Sequence, residues 1–152
     1  MHSAQDEGLE SRLIYLFKRS QLLMEELNNR ALVPLGIDSR ELAVLLAIDA
    51  GEPASQQHLA ERLGVDRTTM VALLDSLEQK AIVLRHPHAD DRRRNVVELT
   101  DRGAKVFRDG IGASNQAELD LLASLSTEEA ATLRTSLQTI LASPRRPSVS
   151  NG

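Results

Sequence analysis

The spacing of apolar residues predicts a long amphipathic helix near the start of the chain. Between positions 9 and 31 the apolar side chains recur at helical intervals, at Leu9, Leu13, Leu16, Phe17, Leu23, Met24 and Leu27. Pro34 has no backbone N–H to donate, and Gly36 loses too much conformational freedom in a helix, so both interrupt one. The pattern therefore ends this helix before residue 34.

Capping residues predict three shorter helices in the next part of the chain. The segment 38–41, DSRE, has the sequence of a capping box and opens the first of them. Ser55 can cap a second helix over 56–63, and Asp66 can cap a third. Only Gly64 and Val65 separate the second helix from the cap of the third, which is the spacing of a helix–turn–helix.

The pattern becomes strand-like after residue 81. Residues 82–85 and 95–99 alternate between apolar and polar side chains and are rich in β-prone types, with a turn of His, Pro, Asp and Arg between them. Two helices are predicted to follow, one capped by Thr100 and the last one beginning at Ser126 or Thr127. The sequence thus predicts a β-hairpin that lies between two sets of helices.

This order of elements predicts a mainly α fold with a small β-hairpin wing, a winged helix–turn–helix with long N- and C-terminal dimerisation helices. The predicted division is 1–36 for the N-terminal dimerisation helix, 37–100 for the winged helix–turn–helix lobe, 101–142 for the C-terminal dimerisation helices and 143–152 for a disordered tail. The outer helices carry more apolar surface than so small a lobe can cover, so we expect a homodimer. Its predicted contacts are Leu9, Leu13, Leu16, Leu133, Leu137 and Ile140.

Composition narrows the classes of function. The chain has no cysteine, which excludes disulfides and thiolate metal sites. The apolar run at 43–50 is too short to cross a bilayer, and the first ten residues are polar, so we expect a cytoplasmic protein without a membrane partner. The net charge is −4, yet residues 54–110 hold ten Lys or Arg against nine Asp or Glu. The segment 54–110 thus has a net charge of +1, and all the excess negative charge lies outside it.

The helix that follows Asp66 has the features of a recognition helix. Met70, Leu73, Leu74 and Leu77 fall on one side and are predicted to face the core, whereas the other side carries short side chains. In a helix–turn–helix this outer face enters the major groove. The candidate contacts to DNA bases are Arg67, Thr68, Thr69, Val71, Ala72 and Ser76, and the candidate phosphate contacts are Ser55, Gln57 and Arg62. The alternative is an ordinary helical hairpin whose polar face meets only water.

The segment DDRRR at 90–94 is predicted to lie at or beside the tip of the wing. Three adjacent arginines repel one another, but a polyanion would offset that repulsion, and a narrow minor groove attracts an arginine side chain. The candidate wing residues are Asp91, Arg92, Arg93 and Arg94. A solvated turn is the alternative. A metal site at His86 and His88 is disfavoured, because a mobile tip holds ligands poorly.

Several motifs in this order resemble the MarR family of bacterial regulators: LAERLGVDRTTM, LLDSLEQKAIV, R-x-P at 85–87, DDRRR at 90–94 and ELTDRG at 98–103. The resemblance implies a dimeric winged helix–turn–helix that binds a palindromic operator and is released by a small, often aromatic or lipophilic, effector. It also places Asp91, Arg92 and Arg93 on the family's D-R-R, in which an arginine enters the minor groove and the aspartate orients it by a salt bridge. We expect Arg93 first in that role.

Two positions depart from the family pattern. Val71 and Ala72 stand where a polar pair that includes Arg is common, which leaves fewer donors for bases and favours methyl contacts and DNA shape. Ala81 replaces the glycine that usually follows the recognition helix, so we expect a different cap at that helix end.

The sequence therefore predicts a DNA-binding transcriptional regulator, and a repressor rather than an activator. Nucleophile, metal and phosphate-loop motifs of enzymes are not found, and we expect neither catalysis nor a cofactor. The competing hypothesis is a winged-helix module that binds protein and has no specific DNA affinity. The substitution at Val71 and Ala72 leaves this alternative open, whereas the arginine run argues against it.

Overall fold

The helices and strands follow the predicted order. The computed structural model describes residues 6–49 and 54–143, so the tail from 144 onward, predicted to be disordered, lies outside the described residues. The elements are α1 Asp6–Glu10, α2 Leu13–Leu32, a 3-10 turn Val33–Leu35, α3 Ser39–Asp49, β1 Ala54–Ser55, α4 Gln56–Leu63, α5 Arg67–Gln79, β2 Val83–Pro87, β3 Asn95–Leu99, α6 Asp101–Leu121 and α7 Thr127–Ala142. The predicted mainly α fold with a small β wing is confirmed.

The first predicted helix is divided into two. α1 ends at Glu10, and Arg12 has the extended backbone of an N-cap before α2 begins. The Ser11 hydroxyl donates a hydrogen bond to the carbonyl of Gly8 at 3.4 Å, and such a local bond competes with helix continuation. The apolar stripe continues across this break, which is why periodicity alone did not detect it.

The predicted caps are confirmed. In the capping box, the Asp38 carboxylate accepts from the Glu41 N–H at 2.9 Å, and the Glu41 carboxylate accepts from the Asp38 N–H at 3.0 Å. Ser55, Asp66, Thr100 and Ser126 each accept a hydrogen bond from the backbone N–H three residues later, at 2.7 to 3.1 Å. The hydrogen bonds from Thr69, its backbone N–H first, also lower the pKa of Asp66. These caps fix where the helices of the lobe begin.

The wing is part of a three-stranded antiparallel sheet with the strand order β1-β3-β2. β2 pairs with β3 from Val83 opposite Leu99 to Pro87 opposite Asn95, which is the predicted hairpin. β1 adds Ala54 opposite Val97 and was not predicted, because two residues are too few to show an alternating pattern. The sheet therefore ties the segment before α4 to the root of the wing.

One apolar core joins α3, α4, α5 and the sheet. Its fully buried side chains include Leu45, Leu59, Met70, Leu74, Leu77, Ile82, Val83 and Val97. Leu73, which was also predicted to face inward, is partly buried against this cluster. The only buried charged residue among the described ones is Glu41, whose exposed fraction is 4%.

The end of α5 corrects the expectation of a different cap. Ala81 has a φ of +58°, so an alanine takes the left-handed conformation that glycine usually provides. The N–H of Ile82 bonds to the carbonyl of Leu77 at 3.0 Å, and the N–H of Ala81 bonds to that of Glu78 at 2.9 Å. These two bonds form a Schellman motif. The helix end is thus conventional in geometry, although not in residue type.

The first turn of α6 lies directly on the chain that leads into the wing. The Thr100 hydroxyl donates to the carbonyl of Ala81 at 2.6 Å, and the Thr100 N–H donates to that of Ile82 at 3.0 Å. A Cβ added at Gly103 would lie 1.9 Å from the Ile82 carbonyl oxygen. Gly103 is therefore required for this close approach of helix and backbone.

We predict that Gly103→Ala lowers the free energy of unfolding by about 1–3 kcal/mol, because the added methyl overlaps a backbone atom that cannot move alone. Gly112→Ala in the same helix is the control: its Cβ would meet nothing within 4 Å. Relief of the glycine penalty should stabilise it by up to about 1 kcal/mol. Urea unfolding at one protein concentration measures both. Equal effects at the two positions would contradict the close contact.

Candidate nucleic-acid interface

The outer face of α5 is available along its first two turns. Arg67, Thr68 and Ala72 are exposed, and Thr69 and Val71 are half-buried beside them. Opposite them, Met70 and Leu74 are fully buried and fix the rotation of the helix about its axis. The structure therefore places these five candidate base contacts together on one surface. Because most of their side chains are small, this surface could approach the base edges of a groove closely.

Ser76, the sixth candidate, has a different environment. Its hydroxyl donates to the Oε1 atom of Glu41 at 2.7 Å, and the residue is half-buried. Its one donor hydrogen is thus used within the protein rather than offered to a base. Ser76 lies at the boundary between the two faces of α5, where the helical pattern does not show which neighbour it meets. In this structure Ser76 forms a contact between α5 and α3, and its role as a base contact stays a prediction.

The carboxylate of Glu41 joins α3 to the second half of α5. Lys80 lies with its Nζ 2.7 Å from Oε1 and 2.9 Å from Oε2 of Glu41, while Ser76 donates to Oε1. The Glu41 side chain is 5% exposed and that of Lys80 35%. Sequence analysis identified Glu41 only as a capping residue. Its partners on α5 lie 35 and 39 residues further along the chain, beyond the reach of a local pattern.

We predict that Glu41→Gln lowers the free energy of unfolding by roughly 2–4 kcal/mol, because it leaves the Lys80 ammonium half-buried without its counter-charge. Adding Lys80→Met should restore part of the loss, since the unpaired charge is removed as well. Glu26→Gln is the control: Glu26 pairs with Arg30 on an exposed surface, and its loss should change stability by no more than about 0.5 kcal/mol. Thermal and urea unfolding of the four proteins test this. No recovery in the double variant would contradict the pairing.

A second set of charges connects α5 to the wing. Arg85 on β2 donates from Nε to the Glu78 carboxylate at 2.7 Å and from Nη2 to that of Asp75. The hydrogen bond with Glu78, followed by that with Asp75, raises the pKa of the Arg85 guanidinium, although partial burial acts in the opposite direction. The carboxylate of Asp75 is therefore engaged by the wing. The wing and the recognition helix are thereby held in a fixed relation.

The four candidate wing residues are exposed around a tight turn. The Asp91 carboxylate accepts from the Arg93 N–H at 3.0 Å, and its Oδ2 lies 3.7 Å from Nε of Arg94. The salt bridge expected from Asp91 to Arg93 is thus not formed in this structure: Asp91 holds the backbone of Arg93 and pairs with Arg94, and which arginine enters the minor groove stays a prediction. Within the described part of the chain, the Arg92 and Arg93 guanidinium groups have no salt bridge. Both remain available for a polyanion.

A cleft of about 880 Å³ brings several candidates from separate elements together. Its lining includes Ser55 and Gln57 from the start of α4, Arg67 from the start of α5, and Arg93 and Arg94 from the wing, with Glu61 as a lining carboxylate. Candidate phosphate contacts and wing arginines thus share one concave surface. Arg62 lies apart from it, with a guanidinium nitrogen 3.4 Å from the carbonyl oxygen of Ala47.

The two wing histidines do not come together around a common point. The Nε2 atom of His86 lies 3.1 Å from a Glu98 carboxylate oxygen, while Nδ1 of His88 accepts from the Asp90 N–H at 3.1 Å. The Pro87 carbonyl, followed by Glu98, raises the pKa of His86. Among residues 6–49 and 54–143, no group of three or more His, Asp or Glu side chains is arranged to hold a metal ion.

The fold and this surface define a winged helix–turn–helix protein with an exposed recognition helix and a basic wing. Known proteins agree with that class. A family model described as the MarR family matches residues 35–94. The transcriptional repressor CouR, solved with a 23-mer DNA duplex, is 30% identical with a TM-score of 0.81, and the match covers 88% of this chain and 94% of that chain.

Two further solved structures have the same fold. A mutant MarR from E. coli complexed with operator DNA is 28% identical with a TM-score of 0.78, over 91% of this chain and 99% of that one. CouR from Rhodococcus jostii RHA1 bound to p-coumaroyl-CoA is 24% identical with a TM-score of 0.77, over 91% and 97%. The chain belongs to the MarR family and is a transcriptional regulator, not an enzyme. None of its described helices is long and apolar enough to span a membrane.

Proposed function

We propose that the protein is a homodimeric repressor that binds a palindromic DNA operator and releases it when a small aromatic or lipophilic effector binds. The observation that carries the proposal is the shared surface of α5 and the wing, where Arg67, Arg93 and Arg94 line one cleft. Because phosphate contacts release counterions, arginines at this position raise DNA affinity without a basic chain overall. CouR, which is 30% identical, is a transcriptional repressor, and this supports repression rather than activation.

The recognition helix would lie in the major groove and the wing in the adjacent minor groove. Thr68 and Ala72 are small and exposed, so the helix can approach the base edges closely and offer methyl groups to thymine. The anchoring of Arg85 to Asp75 and Glu78 fixes the wing relative to this helix. Both elements would therefore contact DNA in one register rather than independently.

We predict that Arg93→Ala weakens binding to the operator and reduces the slope of log affinity against log salt by about one unit, because one phosphate contact is lost. Arg108→Ala is the control, since Arg108 is exposed on α6 and does not line the cleft. Gel shifts at several salt concentrations, with DNA that flanks the coding region or a random-site pool, measure the effect. Unchanged affinity for Arg93→Ala would show that the wing contact is misassigned.

The same experiment separates this proposal from its alternative. A protein-binding winged helix without DNA specificity would give no salt-dependent specific shift with either the flanking DNA or the random pool. That result would overturn the regulator mechanism proposed for this surface, irrespective of the Arg93 variant.

The proposed dimer is supported by apolar surface on both ends of the chain. Among the described residues of α2 only Leu32 is buried, and none of those of α7 is. The exposed fractions are 69% for Leu13, 45% for Leu16 and 59% for Ile140, and Leu9 and Leu133 are likewise exposed, with Leu137 half-buried. Leucine and isoleucine side chains this exposed on two long helices are typical of a protein interface. A second copy of the chain would bury them in a symmetric dimer.

We predict that Ile140→Glu raises the dimer dissociation constant by tenfold or more, because burial of such a side chain contributes about 1.5–3 kcal/mol and a charge there has no partner. Leu84→Glu is the control: Leu84 is 55% exposed on the wing strand β2, outside the proposed interface. Sedimentation equilibrium measures both variants. A dimer weakened equally by both, or by neither, would contradict the proposed interface.

The effector would act on the dimer geometry rather than on the DNA-contacting residues. α2 packs against α6, and both helices also contact α3 of the lobe. A compound bound where these helices meet the lobe would favour a spacing of the two recognition helices that no longer fits the operator. The p-coumaroyl-CoA bound to CouR is a ligand of that protein; it supports the class of effector only through the shared fold.

A further inference from the structure

A second, smaller pocket lies beside the DNA-facing cleft, between α4, the end of α3 and the turn of the wing. Its volume is about 270 Å³, and its lining residues are Ala47, Ala54, Ser55, His58, Arg62, His88 and Arg94. Ser55, His58 and Arg94 line the larger cleft as well, so the two cavities are neighbours with shared walls. Ser55, Arg62 and Arg94 are candidate DNA contacts taken one by one, but the proposed function assigns no ligand to the pocket that they form together with His88.

The lining of this pocket carries positive charge and has no carboxylate to neutralise it. Arg62 and Arg94 are permanently charged, and none of the described lining residues is Asp or Glu. Asp91, which is not a lining residue, lies 3.7 Å from Arg94, and Arg62 forms no salt bridge within the described part of the chain. Like charges that share a small space repel each other, and a bound anion would remove that cost.

Hydrogen-bond donors remain free on several lining side chains. The Ser55 hydroxyl accepts the His58 N–H at 3.1 Å and keeps its own hydrogen to donate. Nδ1 of His88 accepts the Asp90 N–H at 3.1 Å, which places the proton of the neutral ring on Nε2, a donor. Arg62 uses one nitrogen on the Ala47 carbonyl at 3.4 Å, and its other N–H groups are not engaged there. The free groups are donors, which suits an acceptor-only ligand.

The size and chemistry of the pocket favour a small polar occupant over a lipophilic one. About 270 Å³ is below the usual 300–1,000 Å³ of sites for drug-sized ligands. Its apolar lining residues are Ala47 and Ala54, and none of the lining residues is Phe, Tyr or Trp. A compact tetrahedral oxyanion fits such a space, and the planar guanidinium fork matches phosphate oxygens.

We propose that this pocket binds a phosphate group, held by Arg62, Arg94, His88 and the Ser55 hydroxyl. The group can come from free phosphate or a small phosphorylated compound, or from the DNA backbone. The DNA source rests on the proposed function, whereas the free source does not. Because Arg94 belongs to both cavities, a free phosphate in the pocket would compete with DNA for the same guanidinium.

The first arm of the test uses the full chain and inorganic phosphate alone. Isothermal titration calorimetry and NMR of the histidine side chains follow the addition of phosphate at constant ionic strength, maintained with sodium chloride. We expect saturable binding that His88→Ala weakens about tenfold, the effect of losing one hydrogen bond to a charged group. His58→Gln is a second variant at an exposed position that should keep the fold. His86→Ala, which alters a histidine outside the pocket, should leave binding unchanged.

The second arm uses DNA. One outcome is that phosphate binds the free protein and lowers DNA affinity more than chloride of equal ionic strength. If His88→Ala then requires about tenfold more phosphate for the same effect, the free ion is the ligand. If free phosphate does not bind but His88→Ala weakens DNA binding severalfold and His86→Ala does not, the DNA backbone supplies the group. Absence of both effects overturns the proposal. If no DNA binds at all, the proposed function fails, and the phosphate titration alone decides the pocket.

Discussion

The carboxylate of Glu41 is the contact on which the position of the recognition helix depends. It closes the capping box of α3 with one oxygen and receives Ser76 and Lys80 of α5, so a single buried charge fixes the start of one helix and the end of another. A buried carboxylate is tolerated only when its hydrogen bonds are satisfied, and here the donors come from both helices. This contact with α3 therefore helps to fix the orientation of the outer face of α5.

The wing is held to the same helix by a separate set of contacts. Arg85 on β2 donates hydrogen bonds to Asp75 and Glu78 of α5. Thr100 and Gly103 place the first turn of α6 against the backbone carbonyls of the residues that precede the wing. The recognition helix α5, the wing and the first turn of α6 are therefore in contact with one another near Ala81 and Ile82. A displacement of α6, which packs on α2, would be transmitted to the DNA-facing surface through backbone contacts rather than through flexible side chains.

The sequence predicted those features that depend on local chemistry. Caps at Ser55, Asp66 and Thr100, and the inward face of α5, follow from residue type and period, and all were found. Features that depend on partners far along the chain were missed. One is β1, which pairs only with β3. The others are the hydrogen bond from Ser76 to Glu41 and the salt bridge of Asp91 with Arg94 rather than with Arg93. Periodicity places a side chain on a face but does not say which neighbour it meets there.

Ala81 carries a consequence for the stability of the lobe. A left-handed alanine costs about 1–2 kcal/mol relative to an ordinary conformation, and the hydrogen bonds of Ile82 and Thr100 must offset it. The joint between the recognition helix and the wing is thus less stable than its number of hydrogen bonds implies. Part of the stability supplied by Glu41, Arg85 and Thr100 at this joint therefore maintains one strained residue. The chain thus keeps a strained backbone position between its two DNA-facing elements.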